Sequence, residues 1–97
     1  MASTVDEITM NYEEDNVLLV KELDKVILSK GAWCTILFKY QQWDRKNETY
    51  GDVKYSIRRY QKRDNNFNQK SKFNISSTDQ AKKIIEALQK WTQESDE

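Results

Sequence analysis

Two runs of this chain alternate between apolar and polar residues with a period of two, a pattern that antiparallel sheet accommodates and a helix does not. In the run from Trp33 to Trp43, Cys34, Ile36, Phe38 and Tyr40 form an apolar row, and Trp33, Leu37, Lys39, Gln41 and Trp43 a mixed one. In the run from Val53 to Tyr60, Val53, Tyr55, Ile57 and Arg59 point one way, and Lys54, Ser56, Arg58 and Tyr60 the other. The expectation is that the odd-numbered apolar positions of the second run bury with the even-numbered ones of the first. One sheet face is then apolar. The other is cationic and aromatic, with Lys39, Lys54 and Arg58 lining one trough.

The flanking segments fill in the order of elements. Residues 22–30 read as a first strand, and Gly31 supplies a tight turn into Trp33. The stretch Val17–Val20 fits helix or strand equally. The polar segment from Asp44 to Asp52 makes a longer hairpin loop. A third strand follows from Val53 to Lys62. Residues 63–69 read as an asparagine-rich loop with Phe67 alone in it, and residues 70–76 as a short fourth strand.

Ser77 and Gln80 have the spacing of a helix capping box. Behind them Ala81, Ile84, Ile85, Leu88 and Trp91 recur at helical spacing. The predicted class is therefore α+β, four antiparallel strands followed by one C-terminal helix. Residues 1–15 are expected to be a mobile acidic tail, 16–93 a single β-β-β-β-α domain, and 94–97 a disordered terminus. A domain this small buries little surface, and one helix covers only part of a sheet face. A homodimer with helices packed across a two-fold axis is the expected supplement, with Ile84, Ala87, Leu88 and Trp91 at the interface.

The chain has one cysteine, Cys34, and no histidine, which leaves out disulfide scaffolds and ordinary zinc sites. No nucleophile elbow, glycine-rich phosphate loop or carboxylate cluster of metal-binding spacing is present, so no catalytic residues, metal or cofactor are expected. There is no membrane-length apolar run and no signal-peptide pattern, and the expected location is cytoplasmic with no membrane partner.

A formal net charge of zero conceals an uneven distribution. Between Lys30 and Ile75 eleven basic residues stand against four acidic ones, while the first 29 residues carry seven acidic against two basic. Fields act over about 8 Å in physiological salt, so the central excess matters more than the sum. Cations neutralise phosphates, and exposed rings stack on unpaired bases. Trp33, Lys39, Trp43, Lys54, Arg58, Tyr60, Lys62, Lys70 and Lys72 are the candidate contacts for single-stranded DNA or RNA, read with little sequence specificity. The alternative is a homodimeric protein-interaction module of the same fold, its basic face solvated or covered by the acidic tail. No small-molecule substrate is expected in either case.

The order of residues 22–30, the piece Lys54-Tyr-Ser-Ile-Arg-Arg-Tyr60, a polar loop, Lys72-Phe-Asn-Ile-Ser76 and a terminal helix resembles the transcriptional positive cofactor four (p15 coactivator) family and its small bacterial relatives. That resemblance implies a curved four-stranded sheet, a helix-mediated homodimer, and single-stranded DNA bound along the sheet in a coactivator-like role in transcription regulation. It puts Arg58 on the family's DNA-contacting arginine and Tyr60 on an aromatic beside it. The chain departs from the family pattern where Phe73-Asn74 replaces a lysine–glycine pair, so the cation there falls to Lys70 or Lys72. The loop from Asp44 to Asp52 is also longer.

Overall fold

A computed structural model describes residues 4–95. The elements are a single 3-10 turn (Val5–Glu7), then β1 (Tyr12–Glu14), β2 (Val17–Ser29), β3 (Trp33–Asp44), β4 (Thr49–Tyr50), β5 (Lys54–Arg63), β6 (Asn66–Ile75) and α1 (Thr78–Ser95). All strands are antiparallel, in the order β1-β2-β3-β5-β6, with the two-residue β4 paired to the end of β3. The α+β class stands, but the sheet has six strands rather than four.

The additional strands come from turns that the asparagines and aspartates make possible. Asp15 and Asn16 have φ of 52° and 66°, and Asp64 and Asn65 have 51° and 64°. Two consecutive left-handed residues form the two-residue hairpin turn whose twist matches that of its strands, and Asp and Asn tolerate it well. Val17–Val20 is therefore strand, paired to β1. The expected loop at 63–69 contracts to Asp64-Asn65, and residues 66–69 join β6. Gly31, at φ 138°, makes the reversal between β2 and β3. The loop after β3 is held by the Asp44 carboxylate, which accepts from the backbone N–H of Lys46 (2.9 Å) and of Asn47 (3.3 Å) and from the Asn47 amide (2.8 Å). Those bonds, the Asn47 side chain's foremost, lower the Asp44 pKa.

The core lies between the sheet and a strap made of the N-terminal residues. Ile8 and Met10 pack on Cys34, Ile36, Phe38, Tyr40 and Tyr60, with Val5, Val20, Ile27 and Phe67 at the margin. Two charged side chains of β2 hold the strap in place. Lys25 Nζ donates to the carbonyls of Val5 (3.3 Å), Asp6 (2.9 Å) and Ile8 (2.6 Å). The Glu22 carboxylate accepts from Thr9 Oγ1 (2.9 Å) and the Met10 N–H (3.0 Å). The expected mobile tail is thus corrected between residues 5 and 14: two apolar side chains in a mostly polar segment suffice to seat it. Residues 1–3 lie outside the described chain.

The helix begins as its sequence indicates. Ser77 Oγ accepts from the Gln80 N–H (3.1 Å), and Gln80 Oε1 reaches back to the N–H of Ser76 (3.1 Å), one residue earlier than the usual box. It continues through Glu94 and Ser95, two residues past the expected domain end at 93, and residues 96–97 lie outside the described chain. Beyond its first turns the helix does not cover the sheet. Ile85, Leu88 and Trp91 remain 52–61 % exposed, and the smallest extent of the chain is only 17 Å.

Candidate nucleic-acid interface

Strand register decides which side chains share a surface, because a shift of one residue moves every side chain to the opposite face. Between β3 and β5 the partners are Cys34↔Tyr60, Ile36↔Arg58, Phe38↔Ser56 and Tyr40↔Lys54. Even positions therefore pair with even ones, opposite to the expectation. The inner face, toward the strap, carries the β3 core row together with Lys54, Ser56, Arg58 and Tyr60. The outer face carries Leu37, Lys39, Tyr55 and Ile57. A single trough holding Lys39 beside Lys54 and Arg58 does not exist. The physical reason is the strap: with Ile8 and Met10 supplying apolar cover, the inner face needs no apolar row from β5.

On the inner face β6 extends the polar half. Asn74 lies opposite Ser56, Lys72 opposite Arg58, Gln69 opposite Tyr60 and Phe67 opposite Lys62. Ser56 is fully buried and donates from Oγ to Asn74 Oδ1 at 2.8 Å. Arg58 donates from Nε to Ser56 Oγ (3.3 Å) and from Nη1 to Gln69 Oε1 (3.1 Å). Lys54 Nζ donates to Gln42 Oε1 (3.1 Å). The result is a row of cations in which Lys54 and Arg58 are held by neutral amides and a hydroxyl, with Lys62 and Lys72 on the same face. Lys70 is exposed at the bulge between Gln69 and Ser71, where the ladder slips by one residue.

Tyr60 joins the core instead of the surface. It is 6 % exposed, and burial raises its phenol pKa while Arg58 pulls the other way. Trp33, Lys39 and Trp43 lie on the outer face. There the Arg59 guanidinium sits over the Trp33 ring (4.7 Å to its centroid). Trp43 meets Tyr50 edge-on with centroids 5.1 Å apart, and Lys21 Nζ stands 5.1 Å from the Tyr50 centroid. Of the nine expected contacts, Lys54, Arg58, Lys62 and Lys72 come together. The sequence reading missed Ser56, Gln69, Asn74 and Gln42; alternation through Phe67 would have revealed Gln69, had residues 66–69 been read as strand.

The outer face has its own pattern. Val26, Leu37, Ile57 and Phe73 are in register across four strands, with Val26 and Phe73 about half exposed. Among the described residues no helix is long and apolar enough to cross a membrane. No protein-family model, curated protein or solved structure matches the chain.

Proposed function

We propose that the chain binds single-stranded nucleic acid, with little sequence specificity, on the β5–β6 half of its inner face. The observation that carries this reading is the pairing of Arg58 with Lys72 directly across the ladder. Like charges in opposed positions destabilise a sheet. Among the described residues neither side chain forms an ion pair with a carboxylate, and the groups that Arg58 donates to are neutral. Such a cluster is suited to a polyanion that supplies the missing negative charge. The resemblance to the positive cofactor four family supports the same reading, with DNA as the strand and a coactivator-like role in transcription.

The reading includes a homodimer formed through α1. The half-exposed Leu88 and Trp91, with Ile84 and Ala87, are an apolar stripe without enough sheet beneath it. A labelled oligothymidylate titrated at several salt concentrations tests the binding. Log affinity should fall with log salt at about 0.7 per phosphate neutralised. Arg58→Gln with Lys72→Gln should abolish most of it without lowering the thermal midpoint.

The second reading, a protein-interaction module without nucleic acid, is favoured by the outer-face row Val26, Leu37, Ile57 and Phe73, whose two end members are about half exposed. Absence of any oligothymidylate binding at low salt would select it.

A further inference from the structure

We propose that the inner-face site takes the sugar–phosphate backbone of the strand and leaves its bases unread, an inference that rests on the nucleic-acid reading and deepens it. Base stacking needs an open ring face. The β5–β6 half of the inner face has none to offer. Phe38, Tyr40 and Tyr60 are at most 6 % exposed, and Phe67 packs against the core with Lys62 Nζ 5.6 Å from its centroid. Trp33, Trp43, Tyr50 and Tyr55 are on the far side of the sheet, where a strand lying on Arg58 does not reach.

What the site does offer is fixed positive charge. Arg58 is tied at Nε and Nη1, so its guanidinium plane is set and its remaining N–H groups stay available to phosphate oxygens. Ser56, itself bonded to Asn74, and Gln69 are the residues that position it. Lys54 precedes Arg58 by four strand residues, about 13 Å, and Lys72 lies one strand away, about 5 Å. Cations so spread engage more than one phosphate of a single strand.

The test compares three labelled oligomers of equal length: oligothymidylate, an abasic tetrahydrofuran phosphodiester, and a neutral-backbone peptide nucleic acid of thymine. The two charged oligomers should bind within about threefold of each other, with equal salt slopes, and the neutral one should not bind. Tryptophan emission should stay unquenched at saturation. Gln69→Ala should weaken both charged oligomers by the same factor. A single stacked base would contribute roughly 5- to 150-fold. Abasic binding more than about threefold weaker than oligothymidylate, or quenching of tryptophan, therefore overturns the inference while the nucleic-acid reading stands. If neither charged oligomer binds, that reading falls as well.

Discussion

Arg58 and Lys72 stand opposite each other on one face of the β5–β6 hairpin, two cations with no carboxylate paired to either among the described residues. Replacing one by an acid converts repulsion into attraction. Lys72→Glu should stabilise the fold by about 0.2–1 kcal/mol. That corresponds to a rise of about 1–8 °C in thermal midpoint for a domain of this size. The same change should weaken oligothymidylate binding. A midpoint that falls, measured by circular dichroism, would show that the pair carries no strain.

The strap is part of the core, and its removal should be felt accordingly. Ile8→Ala should cost about 2–5 kcal/mol in urea unfolding, the range for a buried aliphatic side chain. Deleting residues 1–11 should abolish a cooperative transition, since Phe38 and Ile36 would lose their cover. A truncated chain with an unchanged midpoint would return the segment to the status of a tail.

The proposed dimer through α1 predicts a specific sensitivity. Leu88→Glu places a charge in the stripe without touching the sheet core, so light scattering should report a monomer. Near-wild-type secondary structure is expected at high concentration. An unchanged mass for this variant would exclude that stripe as the interface.

Alkaline stability should depend on two buried groups. Burial pushes the Cys34 thiol and the Tyr60 phenol up. An acid whose folded pKa is raised contributes its stability in full below the unfolded value and loses it as pH rises toward the folded one. The fold should therefore weaken from the ordinary thiol range, about pH 8.5, upward through the tyrosine range. Tyr60→Phe should flatten the upper part of that decline in a series of urea melts. Equal slopes for the two proteins would assign the alkaline loss elsewhere.

Much of the fold was legible in local chemistry. The two-residue period marked β3 and β5, Gly31 marked the reversal before β3, and Ser77 with Gln80 marked the start of α1, because each signal acts within a few residues. The hairpin turns Asp15-Asn16 and Asp64-Asn65 were legible in principle, as pairs that tolerate left-handed backbone. The asparagine-rich surroundings of the second masked it as a loop.

By itself the sequence determined that residues 34, 36, 38 and 40 share a buried row and that residues 54, 56, 58 and 60 share a face of their own. Which of the two β5 faces joins that row was decided only in three dimensions. Both faces of β5 are amphipathic, so periodicity is equally satisfied by either parity. The choice depends on Ile8 and Met10, 24 or more residues before the row's start, arriving on one side of the sheet and making apolar cover from β5 unnecessary there. That long-range packing set Lys54 and Arg58 beside Lys72 and parted them from Lys39 and the tryptophans.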